Sequence, residues 1–121
     1  MSLGALSCGI EVKYAVEIDP YAAKTFIRNH PNTVLLQMDI RDVHIDMFSN
    51  LDSNVPTVVF GGPPCQGFSI QRIGEDDDPR NELVLKYGQL ISEVYPKYFL
   101  MENVAGILGK RGKSVINDLQ I

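Results

Sequence analysis

Thr57-Val58-Val59-Phe60, followed at once by Gly61-Gly62-Pro63-Pro64-Cys65-Gln66, is the stretch that decides how the chain folds. A short β-branched and aromatic run bounded by Pro56 and Gly61 reads as a buried central strand. Working outward, Val12 to Ile18 and Thr33 to Met38 read as further strands, and Tyr98 to Met101 as a fourth. Between them lie helical stretches. Asp19-Pro20 supplies an N-cap and a first-turn proline ahead of a helix over Tyr21 to Asn29. Asp42 to Asn50 predicts a short helix. Asn81 to Val94 carries apolar residues at Leu83, Val84, Tyr87, Leu90, Ile91 and Val94, a helical period. Gly61 to Pro79 reads as a long loop, and Ser114 to Ile121 as the start of a last helix. Steady alternation of strand and helix implies an α/β fold, a mostly parallel sheet with helices on both faces. In such sheets ligands bind beyond the carboxyl ends of the strands.

Composition sets the outer limits. The 121 residues suit one domain, with 45% apolar and 21% charged residues, which excludes wholesale disorder. Eleven basic against 15 acidic side chains give a net charge of −4, which argues against a basic nucleic-acid coat on this segment. No apolar run approaches the ~20 residues of a membrane span. The N-terminus shows no basic residue ahead of an apolar stretch, which argues against a secretory signal. Two cysteines, Cys8 and Cys65, cannot form a disulfide framework and fit a reducing compartment.

Three strand ends carry chemistry. After the first, Glu17 could accept both hydrogen bonds of a ribose diol, or be an exposed acid at a helix start. After the second, Asp39 could accept from an adenine amino group, or cap the helix that follows. After the third, Cys65 sits on a Gly-Gly-Pro-Pro turn. Its glycines permit close backbone approach and its prolines stiffen the loop, a setting that presents a nucleophile rigidly at the sheet rim. A lone cysteine is otherwise a small buried hydrophobe, as Cys8 is read to be. Glu102 ends the fourth strand beside Cys65, where a partly buried carboxyl would have a raised pKa and act as a proton donor. It could instead hold loop N–H groups. Other features carry less. Gly109 to Ser114 ends like a phosphate loop, but the required first glycine would fall at Ile107. His30 and His44 lack metal spacing and read as surface or cap residues. Glu75-Asp76-Asp77-Asp78 reads as a solvated loop tip. Tyr21, Phe26 and Tyr87 read as core rather than a stacking platform.

Taken together these motifs resemble one family, the cytosine-5 DNA methyltransferases that use S-adenosylmethionine. Gly62-Pro63-Pro64-Cys65-Gln66-Gly67-Phe68-Ser69 is similar to their catalytic loop, and Glu102-Asn103-Val104 to their acid motif. Val16 to Ala22 resembles their ribose-binding segment, Met38-Asp39-Ile40 their adenine contact, and Asp78 to Leu83 the stretch opening the next helix. The resemblance implies a Rossmann-like methyltransferase fold in which Cys65 attacks carbon 6 of a cytosine flipped out of duplex DNA. Glu102 would protonate or hydrogen-bond N3 of the ring, Asn103 orient the loop bearing Cys65, and Pro64 shape the base pocket. Glu17, Ile18, Asp39, Ile40, Gly62, Pro63, Asn81, Leu83 and Met1 would line the cofactor. Gln66 and Ser69 would begin a mobile loop that meets DNA, Ser69 at a phosphate.

The resemblance also implies what this segment lacks. The family's glycine-rich first strand would precede Met1, and its target-recognition domain would follow Ile121. Residues 1–121 are therefore expected to form part of a catalytic domain, with the first strand missing. Such a piece alone is expected to be inactive and to bind cofactor weakly. A bacterial cytoplasmic enzyme of a restriction–modification system, needing no metal or membrane, is the implied setting. Two alternatives stay open: the relative that methylates cytosine in transfer RNA, and an inactive truncated binding module.

Overall fold

Asp19 is where sequence first becomes geometry. In the computed structural model, which describes residues 1–49, 51, 54–64, 81–109, 113, 116 and 117, its Oδ1 accepts the N–H groups of Tyr21 (2.9 Å) and Ala22 (2.7 Å). With Pro20 at the first helical position, this cap starts α2, Pro20–Asn29. A shorter helix, α1 (Ser2–Ser7), precedes it. α1 ends in a Schellman turn: Gly9, at φ 76°, donates to Leu6 O, and Ile10 N donates to Ala5 O.

The chain forms two compact units, Met1–Ser49 and Asn50–Ile121. In the first, β1 (Tyr14–Val16) and β2 (Val34–Leu36) pair in parallel, Tyr14 opposite Val34. These ladders are shorter than the predicted strands, although backbone bonds at Lys13 and Glu17 extend the pairing by one residue at each end. Val12, Ala23 and Val43 are buried here. The predicted helix over Asp42 to Asn50 is instead two 3-10 turns, Ile40–Asp42 and Ile45–Phe48. Val43 and His44 are extended between them. Burying the β-branched Val43 there breaks the helical path. Asn50 lies outside the described residues.

The second unit pairs β3 (Val58–Gly61) with β4 (Tyr98–Met101), also in parallel, Gly61 opposite Met101. β3 is not the buried central strand its sequence predicts. Val58 is 41% exposed and the rest is half-buried, because β4 is its one strand neighbour among the described residues. Helix α3 (Asn81–Val94) matches its predicted span. Its Val84, Tyr87, Leu90 and Ile91 are buried, and Val84 joins Ile107 in a cluster that Met101 and Ile116 pack against. No described helix is long and apolar enough to cross a membrane. Most of the predicted helix over Ser114 to Ile121, and the acidic tip Glu75 to Asp78, lie outside the described residues.

Helix α3 stops in a strained conformation. Tyr95 follows it with φ 49°, donating its N–H to Ile91 O at 2.9 Å. Pro96 disfavours the ordinary helical conformation at Tyr95. The side chain is 90% exposed, so it offers no packing in return. Tyr95→Gly is expected to stabilise the protein by about 1 kcal/mol in denaturant unfolding. An unchanged midpoint would show that the left-handed residue carries no strain.

Candidate active site

The two strands of the second unit carry Gly61-Gly62-Pro63-Pro64 and Glu102-Asn103 at their carboxyl ends, held side by side by backbone bonds. Glu102 N donates to Gly61 O at 2.9 Å. One residue on, the Asn103 Nδ2 donates to Pro63 O at 3.0 Å, and its Oδ1 accepts the Val104 N–H at 2.9 Å. The Nδ2 end of the Asn103 amide therefore fastens one strand end to the other, while the Oδ1 end closes a local bond with the next residue of its own strand. Pro63 is buried and Pro64 exposed. Gly62 gives the carboxylate room. A Cβ there would stand 3.0 Å from Glu102 Oε2, tighter than most real contacts.

Glu102 departs from expectation in one respect. It is exposed rather than partly buried, at the carboxyl end of the strand pair, where its own N–H makes the bond to Gly61 O. Cys65, Gln66 and Ser69 lie outside the described residues, and so does the Asn81 side chain. Leu83 is half-buried on α3.

Beneath this turn lies a residue whose part the sequence reading missed. Tyr87 was expected in the core, and it is buried, but it also reaches the ends of both strands. Its hydroxyl donates to Leu100 O at 2.9 Å. On the β3 side, a Cβ at Gly61 would lie 2.9 Å from Tyr87 Cε2. Burial pushes its phenol up to about 12, so it remains a hydrogen-bond donor throughout the neutral range. A tyrosine four residues after Leu83 on the buried helical face was the available signal.

In the first unit the strand ends present a second group of acids. Glu17 N donates to Leu36 O at 3.2 Å, and its carboxylate Oε1 accepts the Asp19 N–H at 2.9 Å. Beside it Ile18 is 62% exposed, an apolar side chain left uncovered next to an acceptor. Met1 is also exposed, and Ile40 half-buried. Asp39 caps the Ile40–Asp42 turn through Arg41 N (2.9 Å). Its carboxylate further receives the Arg41 guanidinium at two points, Nε to Oδ1 at 3.0 Å and Nη2 to Oδ2 at 2.6 Å. Those side-chain bonds, with the Arg41 backbone N–H, hold the Asp39 carboxyl down to about 2. The Asp-Ile-Arg spacing was the signal for this pair.

The depressed carboxyl fixes a pH dependence. Its unfolded value is near ~4, so the stabilisation is complete above that pH and lost as pH falls through about 2. Arg41→Gln is expected to raise the Asp39 carboxyl toward its ordinary range in a carbon-detected titration. A carboxyl still titrating near 2 would assign the depression to the cap alone.

Two further side chains differ from expectation. Tyr21 is 78% exposed, because α2 turns Ala23 inward and leaves its first turn facing solvent. Cys8 is exposed at the end of α1 rather than packed. His30 is the cap of α2, one of its two expected roles, and it is buried. It stacks on Phe26 with ring centroids 4.2 Å apart and its Nδ1 unpartnered.

Comparison with known proteins identifies the family. The profile of the family described as C-5 cytosine-specific DNA methylase matches residues 1–120. The chain is 39% identical over 108 residues to the Type II methyltransferase M1.HphI of Haemophilus parahaemolyticus, covering 86% of this chain and 29% of that protein. It is 36% identical over 121 residues to M.AquIA of Picosynechococcus, covering 95% and 48%. A crystal structure of a prophage-encoded E. coli protein assigned as a DNA modification methyltransferase superposes with a TM-score of 0.80 at 38% identity. That match covers 98% of this chain and 32% of the other. The chain thus spans less than half the length of these relatives. Its parallel strand pairs and connecting helices have the Rossmann-like α/β methyltransferase fold. By profile, sequence and fold alike, the chain belongs to the C-5 cytosine-specific DNA methylase family.

Proposed function

We propose that the protein carrying this chain methylates carbon 5 of cytosine in duplex DNA, with Cys65 as nucleophile and Glu102 as its acid partner. The observation that supports this most is the fastening of the Gly61–Pro64 turn to Glu102-Asn103. The residue preceding Cys65 thereby sits on the same platform as the acid. The first unit supplies a donor set that suits S-adenosylmethionine. Glu17 is an anchored carboxylate able to accept from a ribose diol, and exposed Ile18 an apolar surface for a purine ring. Asp39 keeps acceptor capacity on Oδ2, which takes a single bond from Arg41. By resemblance to the family, Ile40, Leu83, Asn81, Met1, Gly62 and Pro63 are also proposed as cofactor-binding residues. When bound, that cofactor supplies an electrophilic methyl group.

The chain's own residues prepare cytosine to receive it. The Cys65 thiolate adds to carbon 6, forming a C–S bond, while Glu102 gives a proton or hydrogen bond to N3. The electron pair displaced from the carbon 5–carbon 6 double bond makes carbon 5 nucleophilic, and carbon 5 accepts the methyl group. Loss of the carbon 5 proton to a base or water then expels the thiolate and restores the ring. Asn103 holds the turn, Pro64 shapes the base pocket, and Gln66 and Ser69 are proposed to contact the DNA. Reaching the base requires it to leave the stack. A Type II restriction–modification system in the bacterial cytoplasm is the proposed setting. The isolated 121 residues are proposed to be a partial catalytic domain without activity of their own.

The test is covalent trapping in the natural full-length polypeptide. Duplex DNA carrying 5-fluorocytosine cannot lose its carbon 5 substituent as a proton, so the adduct should persist. With S-adenosylmethionine present, peptide mapping should find the DNA on Cys65. Adduct on another residue, or no adduct beside active methyl transfer to ordinary DNA, would overturn the covalent reading.

A further inference from the structure

We infer that Tyr87 is a positioning residue of this site: from beneath, it sets the Gly61–Pro64 turn against Glu102. The inference rests on the methyl-transfer reading above. Its own ground is that one buried side chain touches the ends of both strands carrying the proposed machinery. The ring edge lies under Gly61, so close that a Cβ there would fall 2.9 Å from Cε2. The hydroxyl, 2.9 Å from Leu100 O, holds the neighbouring strand two residues before Glu102. Gly61 pairs with Met101, the residue after Leu100, so the ring reaches adjacent strands one register step apart.

Beyond that level the structure is tied twice more, by Glu102 N to Gly61 O and by Asn103 Nδ2 to Pro63 O. A shift of the ring therefore moves the base of the turn and the base of the acid together. The two prolines pass that shift on toward Cys65, since their fixed φ leaves the turn little freedom to absorb it. Tyr87 is buried and meets the strand ends at Gly61 and Leu100, so the role inferred for it is exerted through them.

Tyr87→Phe removes the hydroxyl and keeps the ring, which separates positioning from bulk packing. In the natural full-length polypeptide, single-turnover capture of 5-fluorocytosine DNA is expected to slow about tenfold, since small misplacements of reacting groups are costly. The Kd for DNA and for S-adenosylmethionine, and the folded fraction at the assay temperature, should stay at wild-type values. Capture at the wild-type rate overturns the inference. So does a slowing matched by lost folded protein or by weaker binding, which would make the residue merely structural. Absence of capture in the wild type has a different meaning: the methyl-transfer reading itself then falls, and the positioning role with it. Amide shifts in Tyr87→Phe should change at Gly61, Gly62, Glu102 and Asn103. Shifts confined to α3 would also overturn the inference.

Discussion

Serine in place of Cys65 is expected to abolish covalent capture of 5-fluorocytosine DNA and to lower methyl transfer by at least about 10⁴-fold. A serine hydroxyl has the shape of the thiol but almost no anionic form at neutral pH. In the proposed mechanism, carbon 5 becomes nucleophilic only through thiolate addition at carbon 6. The turn carrying residue 65 should be undisturbed, since its described anchors use Pro63 O and Gly61 O rather than the sulfur. DNA and cofactor should therefore bind Cys65→Ser as they bind the wild type, placing the loss in kcat. Single-turnover kinetics with equilibrium binding separates the two. Retained capture would move the nucleophile elsewhere, and the exposed Cys8 is the other thiol to examine.

Gly61→Ala is expected to cost about 1–3 kcal/mol of stability, the range for overpacking a well-filled site. The added methyl would stand 2.9 Å from Tyr87 Cε2 and 3.4 Å from Cζ. A flexible surface side chain would yield cheaply, but Tyr87 cannot. Its ring is buried and its hydroxyl is tied to Leu100 O. Either the hydroxyl bond breaks, leaving a buried phenol without its acceptor, or β3 moves off the helix. Thermal or denaturant unfolding of the variant measures the loss. Pairing it with Tyr87→Leu, which vacates the ring's position, should recover part of it. No recovery would mean that the glycine serves its own backbone rather than the ring.

Much of this was legible before any coordinate. Asp19-Pro20 announced α2 because a capping carboxylate and a proline act locally, with no tertiary help. Asn81 to Val94 and Tyr98 to Met101 were readable to the residue: the first has a long helical period, the second is a short apolar run, and Pro96 separates them. Asp42 to Asn50 was not, since burial of Val43 is a tertiary demand that overrides a weak helical signal. Exposure was the least legible quantity. Tyr21 and Cys8 look apolar in a one-dimensional reading, and only the rotation of a helix decides whether they face water. The proposed site showed its residues but not its supports. Glu102-Asn103 and the Gly-Gly-Pro-Pro turn stand out as motifs, whereas the Arg41 fork and the Tyr87 crossbar depend on side-chain direction.

The spacing of the strand pairs has a kinetic consequence. Tyr14 meets Val34 across 20 positions, while Val58 meets Tyr98 across 40. Doubling the loop to be closed adds roughly 0.6 kcal/mol of entropic cost, so the first pair should nucleate sooner than the second. The Tyr87–Leu100 bond closes a span of only 13 positions. Helix α3 and β4 can therefore meet early and offer β3 a formed edge on which to dock. In that order the Gly61–Pro64 turn is among the last pieces to settle, placed only after the frame beneath it has folded.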